Sequence, residues 1–352
     1  MIPEQDLLDI ANGLKNDIFR FEGKTILITG GSGFLGRNFL AFFQFINKNI
    51  LKKPAKIISV DNYIVGSDID EKIYDDPNIE IIRHDITQPL KTKLKNSVKI
   101  DYIIAAAGIA APAVYKKYPL ETLDVSYSGI LNVLELAYQH SVESIITFSS
   151  SEVYGTPPDD QIPTPETFIG SCPSMDTRSC YDIGKMVVET LSYIFYTHHD
   201  VNVKVIRPFN VYSYAHQSDT RVLPNFIKGV LNNQPLKVYG NNNNTRTFCF
   251  ITDAIIGFLK VLIKGRAGEI YNIGCDTPEI TIPDLARLVK KITNYSGDII
   301  EIPYPNNYPS TEPHRRCPDI SKAKKELEYI PTVDLETGIY KFFNWAKENY
   351  KS

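Results

Sequence analysis

The five cysteines, Cys172, Cys180, Cys249, Cys275 and Cys317, are odd in number and form no C-x-x-C pair. That scatter argues against a disulfide framework and against a zinc site, and it suits a reducing cytosol. Histidine offers no alternative metal set. His198 and His199 are adjacent at the end of a helical stretch, where they diverge, and the other four are isolated. An excess of basic charge is also lacking: the net charge of −3 gives no sequence-wide field for nucleic acid or an anionic membrane. The opening MIPEQDLLDIANGLKNDIFRFEG has neither the basic start nor the apolar run of a signal peptide. The apolar stretch at 102–114 is too short, and too interrupted by Gly and Pro, to span a bilayer. The expectation is a cytoplasmic protein with no metal, nucleic-acid or membrane partner.

What is present is the material of a globular core. The chain has 352 residues, 43% hydrophobic and 22% charged, enough for one large domain or two intimate ones. Short β-branched runs occur at 24–30 (KTILITG), 56–62 (KIISVDN), 79–85 (IEIIRHD) and 101–108 (DYIIAAAG), then at 144–151 (SIITFSSS), 202–209 (NVKVIRPF) and 269–274 (EIYNIG). Most are continuous rather than alternating, as strands buried on both faces are. Helical patterns lie between them at 34–47, 120–139, 181–197 and 254–263. Such alternation predicts an α/β fold, a Rossmann-type doubly wound parallel sheet. Residues 1–22 read as an amphipathic helix docked on the surface. Beyond about residue 210, helices at 223–231, 282–292 and 320–327 are separated by Asn- and Pro-rich loops, including 241–244 and 303–313. The expected organisation is an N-terminal helical extension (1–22), a cofactor-binding Rossmann domain (23–210, with a later strand and helix near 248–275) and an interleaved, smaller C-terminal α/β substrate lobe (211–352).

The strongest motif is TGGSGFLG at 29–36, where the first strand turns into the first helix. It satisfies G-x-x-G-x-x-G through Gly30, Gly33 and Gly36, and G-x-G-x-x-G through Gly31, Gly33 and Gly36. Glycines serve a tight turn, close approach of a pyrophosphate and close helix packing, while the helix N-terminus offers N–H groups to phosphate. One β-α-β unit later a strand ends at Asp61, where an acid takes ribose hydroxyls and repels a 2′-phosphate, and IVGSDID after it has no Arg or Lys. NAD is therefore favoured over NADP. Asp85-Ile86 either flanks the adenine or simply ends the third strand. The cofactor set is read as Gly30, Gly33, Phe34, Leu35, Gly36, Asp61, Asn62, Asp85, Ile86 and Ala106, completed by Tyr181 and Lys185.

Tyr181-Asp-Ile-Gly-Lys185 places a phenol and an ammonium one helical turn apart. A nearby ammonium and a nicotinium ring favour the phenolate, so this tyrosine can take the proton of a sugar hydroxyl while hydride leaves the same carbon. Ser149-Ser150-Ser151-Glu152 ends the preceding strand, the sheet edge where open α/β folds bind ligands.

The glycine-rich turn, FSSSEVYG, YDIGK and RPFN resemble the extended short-chain dehydrogenase/reductase (NAD-dependent epimerase/dehydratase) family, over residues 24 to about 340. Within it the likeness is to UDP-glucuronate decarboxylases, echoed in SSSEVYG, RSCYDIGK, RVLPNFI, QPLKVYG, TRTFCFITD and RRCPDISKAKKEL. The resemblance implies that Ser150 holds the 4-hydroxyl beside Tyr181, and that Lys185 grips the nicotinamide ribose. Glu152 would lie near C5 of the sugar, with Arg316 brought to the sugar from the C-terminal lobe. Ser151 matches a substrate position, Asn210, Arg221 and Arg246 match positions holding the diphosphate, and Val238 and Tyr239 lie where the base packs. The implied partners are a sugar nucleotide, a UDP-sugar above others, and a second copy of the chain, through the helices at 120–139 and 181–197.

Oxidation at C4 of a uronate gives a β-keto acid that loses carbon dioxide into an enolate Tyr181 and Ser150 can stabilise. A 4,6-dehydratase carries Thr-Asp-Glu where this chain reads Ser150-Ser151-Glu152, and a serine hydroxyl is too weak an acid to expel water. A 4-epimerase would leave Glu152 idle. Two departures touch substrate binding: AAAGIAAP at 105–112 replaces a Ser/Pro-rich loop, and Ser213-Tyr214-Ala215 replaces Gly-Pro-Arg after RPFN. Decarboxylation of a UDP-glucuronate-like substrate is the leading expectation, with 4-epimerisation, 4,6-dehydration and a non-catalytic NAD sensor as alternatives. A simple alcohol dehydrogenase would differ in releasing reduced cofactor.

Overall fold

The computed structural model describes residues 2–65, 76–90, 94, 98–214, 219–240, 244–303 and 313–350. The expected loop at 241–244 is described only at Asn244, and the one at 303–313 only at its two ends; the rest of both lies outside the described residues.

Each β-branched run forms a strand: β1 (Thr25–Thr29), β2 (Lys56–Asp61), β3 (Ile79–Arg83), β4 (Tyr102–Ala105), β5 (Ser144–Phe148) and β6 (Val203–Pro208), then a last strand at Ile270–Ile273. All pair in parallel in the order last strand-β6-β5-β4-β1-β2-β3. The strand order reverses between β1 and β4, and the crevice outside their carboxyl ends is where such sheets bind ligands. Central strands β4 and β5 are buried throughout, as their unbroken apolar sequence requires, whereas edge strand β3 is only partly covered.

Helix α2 (Phe34–Asn49) and the helix Ile251–Lys264 lie on the sheet, and helix α1 (Glu4–Leu14) packs on both of them. The expected helix at 120–139 is one helical path widened by a π turn at Val125–Gly129, between Pro119–Asp124 and Ile130–His140. The smaller sheets beyond residue 210 are two or three strands each, and the chain's last described helix is Leu335–Asn349.

The N-terminal extension corrects the sequence expectation. Its α-helix stops at Leu14, Lys15 takes a φ of +52°, and a 3-10 segment Lys15–Phe21 follows. Leu14, Ile18 and Phe21 belong to the main core rather than to a surface patch, and a Cβ on Gly13 would sit 2.4 Å from Ile256. Asp6, 2% exposed, accepts hydrogen bonds from Tyr214 Oη and, at 2.7 Å, from Lys341 Nζ. The first helix thus clamps the C-terminal helix and the segment at 213–215 where the family pattern breaks, of which Ala215 lies outside the described residues. Asp6→Ala strands a half-buried ammonium and a phenol, and is expected to cost about 2–3 kcal/mol, each hydrogen bond to a charged group being worth about 1.5–3 kcal/mol. A thermal midpoint unchanged from the wild type's would refute the clamp.

Candidate active site

Gly30 turns the chain off β1 with a φ of +74° while its N–H donates to Val60 O at 2.8 Å. A Cβ there would sit 2.7 Å from the Ala107 backbone, and one on Gly36 would sit 2.1 Å from the Gly30 carbonyl oxygen. Gly33 differs, because its Cβ would meet only that carbonyl oxygen, at 3.2 Å, and open space beyond. Gly33 is also the N-cap of α2, whose first turn carries no acidic residue and no side-chain cap. Phe34 and Leu35 follow it along the wall of the cavity, and Ser32 Oγ is buried there without a hydrogen-bond partner among the described residues. Open backbone, free first-turn N–H groups and an uncommitted hydroxyl fit the pyrophosphate of a dinucleotide.

Asp61 accepts from Ser32 N at 2.8 Å and from Tyr63 N at 2.7 Å, so the acid also fixes the loop it serves. Asn62 Nδ2 donates to Asp85 Oδ2 at 3.0 Å, and Thr87 donates to Asp85 Oδ1 through both N and Oγ1 at 2.9 Å. Burial pushes the Asp85 carboxyl up, but these bonds outweigh it and hold the group below the usual carboxylate range. Ile86 and Ala106 face the same cavity, of about 2070 Å³. That exceeds the roughly 1,000 Å³ at the upper end for one drug-sized ligand and gives room for two large ones.

The expected catalytic residues gather at the carboxyl end of β5. Ser150 caps a 3-10 turn, Ser151–Tyr154, by accepting from Glu152 N at 3.2 Å. It also hydrogen-bonds Tyr181 on the helix Ser179–His199. Lys185 Nζ donates to Phe148 O at 2.7 Å and lies 5.6 Å from the centre of the Tyr181 ring. Tyr115 stacks on that ring at 5.3 Å and 12°, fixing its plane. Burial pushes the Tyr181 phenol up to about 12, with the Ser150 hydrogen bond pulling the other way. Burial also lowers Lys185 to about 8. Among the protein's own groups, desolvation is the largest influence on the phenol.

Glu152 is the hub of a charged cluster beside them. Its Oε2 accepts from Arg178 Nη2 and, at 2.9 Å, from Arg316 Nη2. Burial raises the carboxyl, but Arg316, Arg178 and Arg246 outweigh it and keep Glu152 ionised. Arg316 is brought there by strand pairing, since Arg315–Arg316 runs parallel to Thr245–Arg246 with Arg316 opposite Arg246. Arg316 is 3% exposed and also donates to Gly155 O at 3.0 Å. It lines the smaller pocket beside Glu152 and is not among the residues lining the large cavity.

Ser151, Asn210, Arg221, Tyr239 and Arg246 all line the large cavity. Asn210, at a φ of +41°, donates to Thr247 O at 2.9 Å. Arg221 is held by Asp219 at 2.7 Å, with its guanidinium 4.5 Å from the Phe34 ring centre. Val238 does not join them. The two-residue period of the strand Leu236–Tyr239 turns Leu236 and Val238 into the core and Lys237 and Tyr239 outward. Arg178, Tyr115 and Asp182 were not read from the sequence. Arg178 lies three residues before Tyr181, a spacing that could have flagged it, whereas Tyr115 comes from 66 residues away with no local signal.

The family model for the NAD dependent epimerase/dehydratase family matches residues 26–274. The chain belongs to that family. UDP-glucuronic acid decarboxylase 5 of Arabidopsis thaliana is 36% identical over 328 residues, 93% of this chain and 90% of that protein. The structure of an epimerase from Methanothermobacter thermautotrophicus superposes with a TM-score of 0.81 at 26% identity, covering 97% of this chain and 96% of that one. A variant UDP-glucuronic acid 4-epimerase of Bacillus cereus, in complex with NAD and a fluorinated UDP-glucuronic acid, shares the fold at a TM-score of 0.79 and 24% identity, covering 93% and 100%. The Rossmann-type fold, membership of the family and NAD as its cofactor thus stand as the sequence led one to expect. No described helix is long and apolar enough to cross a membrane.

The glycine turn yields a direct test. Gly36→Ala must displace backbone, and overpacking of this kind costs about 1–3 kcal/mol. NAD affinity measured by calorimetric titration should fall about tenfold or more. Unchanged affinity would mean that the turn does not bear the pyrophosphate.

Proposed function

We propose that the protein decarboxylates a UDP-glucuronate-like sugar nucleotide through a 4-keto intermediate. The observation that supports this most is the state of Glu152, a carboxylate kept ionised between Arg178 and Arg316, with a serine, Ser151, at the preceding position. Dehydration needs a base for the C5 proton and an acid for the C6 hydroxyl. A carboxylate stabilised by two guanidinium groups is a poor base, and a serine is no acid at neutral pH. Decarboxylation needs neither, because the β-keto acid supplies its own leaving group. The name carried by the Arabidopsis thaliana relative agrees.

Bound NAD would accept hydride from C4 and return it. Tyr181 would take the 4-hydroxyl proton and give it back, with Ser150 holding the same oxygen and stabilising the enolate after carbon dioxide leaves. Lys185 keeps two N–H donors beyond its bond to Phe148 O, suited to ribose hydroxyls. Arg221 and Arg246 would neutralise the diphosphate, and Tyr239 would offer its ring to the base. Incubation with NAD and UDP-glucuronate, followed by product mass, should show loss of carbon dioxide. Tyr181→Phe should lower the rate by about 10²–10⁴-fold. Loss of water from a hexose nucleotide, or an isomer of unchanged mass, would move the protein to the dehydratases or epimerases.

We also infer a homodimer. Leu120, Leu123, Tyr127, Tyr138, Tyr193 and Ile194 are exposed on the two neighbouring helical segments 119–140 and 179–199, an apolar face that a second copy would cover. Light scattering should give twice the chain mass, falling to one chain for Leu120→Glu/Tyr193→Glu. A monomeric wild type would refute the inference.

A further inference from the structure

Decarboxylation consumes one proton per turnover. The C5–C6 bond breaks, carbon dioxide departs, and the electron pair left in the C4–C5 enolate must take a proton at C5. The proton that Tyr181 removes from the 4-hydroxyl is needed again on the 4-oxygen when C4 is reduced. A second donor is therefore required. Glu152 is held ionised by its two arginines, and Ser151 is too weak an acid.

Behind Glu152 lies a second pocket, of about 430 Å³, lined by Glu152, Arg178, Asp182, Arg316, Thr156 and Cys172 among others. Glu152 and Arg178 line both this pocket and the large cavity, so they form the wall between the two. Both guanidinium bonds of Glu152 fall on Oε2, and Oε1 takes none among the described residues. Asp182 is 7% exposed, and its Oδ1 is buried with no hydrogen-bond partner among the described residues. Its Oδ2 forms an ion pair with Arg178 Nε at 3.6 Å, too long for a hydrogen bond, so Arg178 offsets part of the cost of its burial. A buried carboxyl with an unsatisfied oxygen is costly as an anion and stable as a neutral acid. A polar pocket of this size has room for several waters.

We propose that Asp182 stores the proton that C5 requires and passes it through water in this pocket, by way of Glu152 Oε1, to the sugar. The proposal rests on the decarboxylase reading. Asp182 becomes a carboxylate as C5 gains its hydrogen, and bulk water restores the proton through the pocket before the next turnover. Asp182 acts through Glu152 and is a positioning residue for the proton, not a group that touches substrate.

The charged and titratable groups facing Asp182 come from every element around it. Arg178 and Asp176 precede its helix, Glu152 comes from the 3-10 turn, and Arg316 from the short strand behind it. Tyr115 and Tyr181 flank it on the large-cavity side, and Cys172, held protonated by burial that raises it to about 11, faces it across the pocket. Burial pushes Asp182 up to about 7, with Arg178 and Arg316 pulling down and Glu152 and Asp176 pushing up. Because the folded value lies above the ordinary one, the stored proton and the stability it confers are both present at low pH and lost as pH rises through about 7.

The test measures carbon dioxide release from UDP-glucuronate and kcat against pH for the wild type, Asp182→Asn and Asp182→Glu. The wild-type kcat should decline above pH about 7. Asp182→Asn should lose about 10²-fold at the optimum and show no such decline, while Asp182→Glu restores it. The thermal midpoint of Asp182→Asn should equal or exceed the wild type's above pH about 7, because the amide carries no charge to bury. A wild-type profile flat through pH 7, or an Asp182→Asn profile that keeps the decline, overturns the proposal even if every protein decarboxylates. A wild type that releases no carbon dioxide overturns the decarboxylase reading instead, and the relay falls with it.

Discussion

The joint held by Glu152, Arg178 and Arg316 is the constraint on which the site's shape depends. Three segments far apart in the chain meet on one carboxylate: the turn after β5, the residue before the Tyr181 helix and a two-residue strand near the C-terminus. Desolvating three charged groups costs several kcal/mol per ion, and their mutual attraction offsets this only with good geometry. The cluster is thus better understood as fixing position than as adding stability. Removing one partner would leave an uncompensated buried charge, at a cost of about 3–5 kcal/mol. Arg246 follows from the same joint, since its backbone is paired to that of Arg316.

A second buried network holds the floor on which this joint rests. Ser149 donates to Glu189, Glu189 is gripped by Arg207 through two bonds of 2.7 Å, and Arg207 lies 4.5 Å from the centre of the Tyr154 ring. Tyr154 then donates to Asn272 on the last strand at 2.7 Å. β5, the Tyr181 helix, β6 and the last strand are tied together one residue away from Ser150. Each member has a partner in the network, which offsets part of the cost of burying so polar a chain. Ser150 and Tyr181 can then be placed within fractions of an ångström, as proton transfer requires.

The sheet was legible because burial on both faces forces unbroken β-branched runs, and seven of them stand in the sequence with helical periods between. The glycine turn and the Tyr181–Lys185 pair were legible because their spacing is local. What could not be read is what the fold brings from a distance. Tyr115 reaches Tyr181 through the loop after β4, and Asp6 reaches Tyr214 across 208 residues. The orientation of Val238 was missed because a four-residue strand gives too little alternation to choose a face. The two-residue strand that sets Arg316 against Glu152 has no sequence signature, because two residues carry no periodicity.

Tyr181 and Lys185 show how strongly burial governs the ionisation of this site. A phenol near 12 is protonated at neutral pH, and an ammonium near 8 is only weakly committed to its charge. Both shifts have the same cause, burial, and burial also magnifies any charge placed nearby. A cationic ring beside Tyr181 would therefore lower the phenol far more here than it would in water. The dry setting that disfavours the phenolate in isolation would thus make its formation respond strongly to a cation bound beside it.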